Sequence, residues 1–318
     1  MAIPYSKHVN QETVTSQAGG ESVDGAVLVA GGDSDPNLFA LLNSLARRGV
    51  AHGALLVGAH MHPRVTWDLD KDALVINGAT VRPRAVFIRN DVFTGLASGR
   101  PEPFQRALAW YTAIHGWAVA HKDVRITNRA SAFKMTNKPH ALCLAREAGL
   151  DIPSTVVSND FELLSQELET RPRIAKPVNG GDYTKELTEV LRSAPVLDSS
   201  LPAPAIVQEK LVPPEIRVYR VGERFFAYQL VADALDYRTT AECNVVPLEL
   251  EDLPAGLIDG LRALTDRLQI DFGAADFKAC TRTGRMLFLE INNGPMFAAF
   301  DSVSAGRLTD ALVDFLSQ

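Results

Sequence analysis

Residues 271–301, DFGAADFKACTRTGRMLFLEINNGPMFAAFD, predict a β-hairpin at the centre of the fold. Two apolar-rich runs flank Arg282-Thr283-Gly284, which is typical of a three-residue hairpin loop with glycine in the left-handed position. The predicted register places Thr281 opposite Arg285. This register decides which polar side chains meet further along the hairpin, because side chains alternate between the two faces of a strand.

In that register Asp276 lies directly opposite Glu290, and Asn292 follows two residues later on the same face. Two carboxylates that face each other across a ladder repel, so we expect a cation between them. Two carboxylates and an amide oxygen form an all-oxygen set suited to Mg²⁺, which usually keeps several waters and also binds substrate phosphates. The alternative is a solvated sheet face with unrelated acids, although the apolar flanks favour a buried site.

The composition is that of an ordinary globular protein. The chain has 318 residues, of which 46% are hydrophobic and 22% charged, enough for two or three packed units. Its net charge of −6 creates no overall basic field, so we expect no nucleic-acid partner. No apolar run approaches membrane-spanning length, so we expect no membrane partner. The cysteines lie far apart without metal or redox spacing, which favours a cytoplasmic location.

The N-terminal third predicts a polar tail followed by a small α/β domain. Residues 1–24 lack an apolar signal core, so we expect a flexible tail. From Gly25 the order strand, helix, strand is typical of an α/β domain, with the first helix starting near Pro36. Residues 104–116 predict a helix, and residues 117–123, WAVAHKD, are interpreted as a further strand.

Two lysines stand where phosphates could bind. Lys138 begins a helix that Asn137 or Thr136 can cap, a position at which the helix dipole favours an anion. Lys176 ends a strand before the turn 179–182, NGGD, and a lysine beside glycines can cover a triphosphate. The turn is not a Walker A loop, because no GK[ST] closes it. A solvated lysine and a plain hairpin turn are the alternatives.

The motifs in order resemble those of the ATP-grasp superfamily, in particular the RimK-like and glutathione-synthetase-like ligases. They are the helix-start lysine, IAKP with its Gly-rich turn, VQEKL, EIRVYRVGERFFA, DFGAADF and FLEIN. The segments DYR at 236–238, NKPHALCLAREAGLDIPST and DSDPN are similar to microviridin-type maturases, which modify ribosomally made peptides. The resemblance covers residues 25–301 and implies an α+β fold. We expect an α/β domain at 25–130, a linker helix and lid subdomain at 131–205, and a metal-binding subdomain at 206–318, with mainly antiparallel sheets in the last two.

The resemblance also implies a role for each matching residue. ATP would be bound by Lys138 and Lys176 at the phosphates, by the loop residues Asn179, Gly180 and Gly181, by the adenine hinge Glu209, Lys210 and Leu211, mostly through backbone groups, and by Glu215 at the ribose. Asp276, Glu290 and Asn292 would hold Mg²⁺. Arg217 and Arg238 would hold an acyl phosphate or a substrate carboxylate, since a guanidinium fork matches both.

The implied activity is that of a Mg-ATP-dependent, ADP-forming carboxylate–amine ligase. A carboxylate is activated as an acyl phosphate and captured by an amine or hydroxyl, with positioning and charge neutralisation supplying the catalysis. The substrate would be an amino acid, a short peptide or a peptide tail. Alternatives are a macrocyclase of a ribosomal precursor peptide, a non-catalytic ATP-binding module and a kinase. A homodimer is a further expectation, because dimers are common among such ligases.

The chain departs from many relatives after Asn292, where they continue with Pro and a Gly-Gln-Trp-like segment. Here the sequence is Asn293-Gly294-Pro295-Met296. Two interpretations of the following aromatic residues remain open. Met296, Phe297 and Phe300 either line an acceptor pocket or pack against the final helix.

Overall fold

The computed structural model describes residues 24–58, 63–89, 101–130, 137–178, 183–231 and 243–318. The chain divides into two compact units. The N-terminal unit contains the described residues up to Arg129 together with Met296–Gln318. The central unit contains the described residues between Ala130 and Pro295. All but the last residue of the predicted tail, 1–24, lies outside the described residues.

The secondary-structure elements follow one another through both units. The strands are β1 (Val27–Gly32), β2 (His52–Val57), β3 (Val65–Asp68), β4 (Ala73–Ile76), β5 (Ala79–Val81), β6 (Ala85–Ile88), β7 (Arg125–Ile126), β8 (Thr155–Asp160), β9 (Arg173–Pro177), β10 (Lys185–Glu186), β11 (Ser200–Glu209), β12 (Val212–Val221), β13 (Arg224–Val231), β14 (Asn244–Leu248), β15 (Phe272–Ala279) and β16 (Met286–Asn292). The helices are α1 (Pro36–Arg47), α2 (Pro101–Ala120), α3 (Lys138–Glu147), α4 (Phe161–Thr170), α5 (Leu187–Ser193), α6 (Leu257–Leu268), α7 (Ala298–Ser302) and α8 (Arg307–Ser317). In the described part of the chain, no helix is long and apolar enough to cross a membrane.

The N-terminal unit is an α/β structure, as the sequence predicts. Its parallel sheet has the order β2-β1-β6-β7, and β3, β4 and β5 form a separate antiparallel sheet. Helix α1 begins at Pro36, and the Asp35 side chain caps it by accepting a 2.8 Å hydrogen bond from the amide of Asn37. This start agrees with the predicted position of proline in the first turn.

The predicted strand at residues 117–123 is wrong. Helix α2 continues to Ala120, and Ile114, Trp117 and Ala118 are buried together in the core of the unit. Their spacing of three and four residues buries one helical face. A short apolar run does not distinguish a strand from a buried helix end, and burial beside Ile114 extends the helix.

The central unit has two antiparallel sheets, with strand orders β10-β9-β11-β8 and β14-β13-β12-β15-β16. Helices α3 and α6 cover one face of the five-stranded sheet, where Leu142 and Leu261 pack with Phe277 and Phe288. The opposite face carries the polar side chains of β12, β15 and β16. These sheets confirm the predicted α+β class. The boundary predicted between residues 205 and 206 lies inside β11.

The aromatic residues after the metal-site strand pack into the N-terminal unit. Phe297 is fully buried and Phe300 is 3% exposed, whereas Met296 is 42% exposed. The side-chain oxygen of Asn37 accepts hydrogen bonds from the amides of Phe297 (2.6 Å) and Ala298 (2.8 Å). These contacts support the packing interpretation for the two phenylalanines over the pocket interpretation.

Candidate active site

The hairpin β15–β16 brings the two predicted metal-binding carboxylates together. Asp276 is paired directly with Glu290, as the sequence predicts, and Ala274 is paired with Asn292. The register shifts between Asp276 and Phe277, since Phe277 pairs with Phe288 and Leu289 is the extra residue. A bulge of this kind lets two successive residues depart from strict alternation.

The bulge decides which way Glu290 faces. Phe288 and Ile291 both belong to the core under the sheet, although they are three residues apart. Leu289 instead packs with a small apolar cluster that includes Leu287. Without the extra residue, alternation counted from Phe288 would place Glu290 on the core face. With it, Glu290 and Asn292 flank the buried Ile291 and share the polar face with Asp276.

The cation expected beside Asp276 is Arg217 on the adjacent strand. Arg217 is paired with Asp276 across β12 and β15, and its Nε and Nη2 atoms donate to the two carboxylate oxygens, each at 2.7 Å. Both side chains are 7% exposed. A two-bonded pair of this geometry fixes the carboxylate orientation as well as balancing its charge. The sequence reasoning assigned Arg217 to the substrate, and in this structure two of its donors serve Asp276.

Glu290 has its own cation, Lys138, at 3.0 Å from Nζ to Oε2. Lys138 is the first residue of α3, which Asn137 caps by accepting a 3.0 Å hydrogen bond from the amide of His140. A lysine there is unfavourable beside the positive end of the helix dipole. The Glu290 carboxylate supplies the anion that this helix start favours, at the position where the sequence suggested a phosphate.

Lys176, at the end of β9, differs from the other cations of the site. Among the residues that the structure describes, it has no ion-pair partner. Burial lowers the pKa of Lys176, and Lys138 lowers it further, while Glu290, Asp276 and Glu215 raise it. Lys176 therefore lies within electrostatic range of the other predicted site residues, in a position that suits an incoming anion.

Glu215 forms an ion pair that the sequence reasoning missed. Lys278, directly across from it on β15, places Nζ 3.0 Å from Oε2 of Glu215. Burial raises the pKa of Glu215, while Lys278 lowers it and Asp276 raises it. The available signal was alternation, because Lys278 lies two residues after Asp276 and so shares its face.

The predicted hinge residues use their side chains within the protein. A carboxylate oxygen of Glu209 accepts a 2.9 Å hydrogen bond from the amide of Ser154, and Lys210 forms an ion pair with Glu186. Leu211 is buried, and its amide has no hydrogen-bond acceptor within the described ranges. Buried amides usually have partners. The hinge thus offers a backbone donor to a ligand, in agreement with the predicted use of backbone groups.

Asn179, Gly180, Gly181 and Arg238 lie outside the described residues, so their predicted roles stay predictions. In the rest of the site, as far as the structure describes it, four cationic side chains (Lys138, Lys176, Arg217 and Lys278) accompany three carboxylates (Glu215, Asp276 and Glu290). With every group ionised, this cluster carries one excess positive charge in a chain of net charge −6. Such a local excess favours a polyanion.

The donor set is compatible with Mg²⁺. Within the described ranges, no three His, Cys, Asp or Glu side chains are placed to hold a metal ion together. A metal here would therefore use the carboxylates of Asp276 and Glu290 with the amide oxygen of Asn292, all on one face of β15 and β16. Mg²⁺ commonly accepts few protein oxygens and completes its shell with water and phosphate.

This architecture, with its charged site on the five-stranded sheet, is the ATP-grasp fold, and several solved structures share it. The ATP-grasp ligase PsnB, complexed with a phosphomimetic variant of minimal precursor, Mg and ADP, has a TM-score of 0.73 at 23% identity, covering 91% of this chain and 98% of that chain. The RiPP-associated ATP-grasp ligase of Chryseobacterium gregarium, in complex with ADP and a leader and core peptide, has a TM-score of 0.70 at 18% identity, covering 92% and 96%. Macrocyclase MdnC from Microcystis aeruginosa MRC, bound with precursor peptide MdnA, has a TM-score of 0.68 at 20% identity, covering 92% and 99%.

These similarities establish the fold and confirm the resemblance at that level. No protein-family model matches the sequence, and no curated protein matches it.

Proposed function

We propose that the protein is a Mg-ATP-dependent, ADP-forming ligase that joins a carboxylate to an amine or hydroxyl through an acyl phosphate. The observation that carries this proposal is the paired set of charges on β12, β15 and β16, which lies on the polar face of an ATP-grasp sheet. Arg217–Asp276, Lys278–Glu215 and Lys138–Glu290 are ion pairs, while Lys176 adds the extra positive charge.

The proposed nucleotide position follows from these groups. Lys138 and Lys176 contact the phosphates, and Glu215 accepts hydrogen bonds from the ribose hydroxyls. The free amide of Leu211 donates to adenine, which explains why a buried hinge donor lacks a protein acceptor. Asp276, Glu290 and Asn292 would hold Mg²⁺, which neutralises phosphate charge when bound. Asn179, Gly180 and Gly181 complete the proposal as a loop over the phosphates.

The proposed reaction has two steps. A substrate carboxylate oxygen attacks the γ-phosphorus, and the β,γ-bridging oxygen leaves with ADP. The acceptor nitrogen or oxygen then attacks the acyl carbon, inorganic phosphate leaves, and the acceptor proton passes to a base or to solvent. Arg217 positions Asp276 and, with Arg238, holds the acyl phosphate. Catalysis in this scheme comes mainly from positioning and charge neutralisation.

A peptide is the favoured substrate. PsnB and MdnC are complexed with precursor peptides, and the Chryseobacterium ligase with a leader and core peptide. These likenesses support the second reading of the sequence, a macrocyclase that joins side chains of one peptide, as a special case of the ligase. The remaining parts of the proposal are a homodimer and a cytoplasmic location.

The test is phosphate release from Mg-ATP in the presence of defined acceptors, followed by mass spectrometry. Pools of amino acids, dipeptides and small carboxylic acids are compared with peptides that carry Asp or Glu together with Lys, Ser or Thr. A matched peptide set has Asn and Gln in place of the acids. We expect ADP, phosphate and a product lighter by one water with the acidic peptides alone.

Three other outcomes distinguish the alternatives. Condensation of amino acids or dipeptides identifies a small-molecule ligase. A phosphorylated product that persists without condensation identifies a kinase. ATP binding without turnover in every pool favours a non-catalytic module and contradicts the proposal.

A further inference from the structure

We propose that Lys278 is a positioning residue that sets nucleotide-sugar specificity by holding the Glu215 carboxylate towards the ribose hydroxyls. The inference rests on the proposed function, because the position of the ribose beside Glu215 comes from there. It assigns Lys278 an action through Glu215, without contact with the reacting atoms.

The two side chains are placed for this role by the backbone of the sheet. Glu215 and Lys278 are directly paired across β12 and β15. Their charged atoms are 3.0 Å apart, and their side chains are 14% and 10% exposed. A buried carboxylate is costly unless it is paired, and the single contact at Oε2 fixes the carboxylate while Oε1 and further lone pairs stay open to other donors.

The neighbours of Lys278 make Glu215 its specific partner. On the other side of β15, Lys278 is paired with Leu287, which offers no charge. The adjacent cation, Arg217, directs two donors to Asp276 in the next row of the sheet. Each row of β12 and β15 therefore carries its own acid and its own base, and Arg217 does not replace Lys278 at Glu215.

The expected consequence is a preference for ribose over deoxyribose. A ribose hydroxyl donates to a carboxylate that Lys278 has already oriented and kept charged. Hydrogen bonds to charged groups contribute more than neutral ones. A nucleotide lacking the hydroxyl loses that bond, whereas its phosphates and base still reach Lys176 and the hinge. Loss of Lys278 should therefore weaken ATP more than its deoxy analogues.

The experiment measures the affinities of ATP, 2′-deoxy-ATP and 3′-deoxy-ATP with Mg²⁺ by isothermal titration calorimetry. We expect the native chain to prefer ATP about tenfold over at least one deoxy analogue, since a bond to a charged group is worth roughly that factor. In Lys278→Met this preference should fall to about twofold or less. Lys278→Arg should retain most of it, because the charge remains.

A double-variant cycle separates positioning from general stability. Glu215→Gln should also lose the preference, and adding Lys278→Met to it should change the ATP-to-deoxy-ATP ratio no further. Arg267→Met is the matched control, because it breaks an exposed ion pair with Glu147 elsewhere in the central unit. Lys278→Gln replaces Lys278→Met if the latter does not fold, as judged by circular dichroism and thermal unfolding.

Two results would overturn the inference. One is equal weakening of ATP and both deoxy analogues in Lys278→Met, which identifies a purely structural role. The other is native binding of ATP without any ribose preference, which removes the role of Glu215 but leaves the ligase proposal intact. Failure of the native chain to bind ATP at all would instead contradict the proposed function itself.

Discussion

Arg217 and Asp276 are joined by two parallel hydrogen bonds of 2.7 Å, both buried on the polar face of the central sheet. Arg217→Met would leave the Asp276 carboxylate buried without its main partner. We expect a loss of about 3–5 kcal/mol in the free energy of unfolding, measured by urea denaturation. Arg285→Met, which breaks the exposed pair with Asp151, should cost about 0–1 kcal/mol. Equal effects of the two variants would contradict the structural role of the buried pair.

Lys176 should make nucleotide binding dependent on pH. Burial lowers its pKa, so the free protein holds this lysine neutral at pH values where an ordinary lysine is charged. Bound phosphates favour the charged form, so ATP binding should take up a proton in the interval between the lowered pKa and the pKa in the complex. Affinity should fall as the pH rises through that interval. Calorimetry in buffers of different ionisation enthalpy measures the uptake, which Lys176→Met should remove.

The same lowered pKa affects the stability of the nucleotide-free protein. Between the folded pKa of Lys176 and its model value of 10.5, the unfolded chain binds more protons than the folded chain. Stability contributed through this group therefore rises with pH across that interval. Lys176→Met should flatten this part of the pH profile in chemical unfolding experiments. An unchanged profile would show that burial of Lys176 has no such consequence.

Glu290→Gln should remove a charged metal ligand while keeping the side-chain volume. We expect turnover to fall by a factor on the order of 10², as for other losses of electrostatic stabilisation at an active site. Chelation of Mg²⁺ should weaken ATP binding strongly in the native chain and only slightly in the variant. Glu147→Gln, in an exposed pair with Arg267, is the control. Full activity in Glu290→Gln would contradict the metal assignment.

Asn37 should be important for the stability of the N-terminal unit. Its side-chain oxygen accepts from two amides, those of Phe297 and Ala298, and its amide group donates to Asp35 at 2.6 Å. Asn37→Ala leaves those amides without this acceptor, so we expect a loss of roughly 2–3 kcal/mol in thermal or urea unfolding. Ser302→Ala on α7, which removes an exposed hydroxyl, should change stability little. Similar stability of both variants would contradict this role.

The register of the central hairpin was predictable only in part. Asp276 lies opposite Glu290 as predicted, and Gly284 has the expected positive φ of 67°. Near the loop, however, the predicted pairing is off by one residue, because Cys280 bonds to Arg285. The extra residue at Leu289 restores the predicted register at the site. An apolar run such as MLFL does not reveal a bulge, because either face of this strand accepts leucine.

The partners of the charged residues needed the tertiary structure. Alternation in EIRVYRV places Glu215 and Arg217 on one face, but it does not show that β15 is the neighbouring strand. The pairs with Lys278 and Asp276 follow only from that strand order. Likewise, the contact between Lys138 and Glu290 joins a helix start to a strand more than a hundred residues later. Sequence reasoning thus identified candidate residues at the site without their pairwise contacts.

The return of the final helices to the N-terminal unit has a consequence for biosynthesis. The amide of Phe297 meets Asn37 across 260 residues of sequence, and the hydroxyl of Ser44 on α1 bonds to Asp310 on α8. On the ribosome, the central unit is therefore complete before the unit whose first strands were made earlier. Contacts of such long range close late in folding. The nascent N-terminal segment must wait with one face of α1 uncovered, and a chain cut after Pro295 would never cover it.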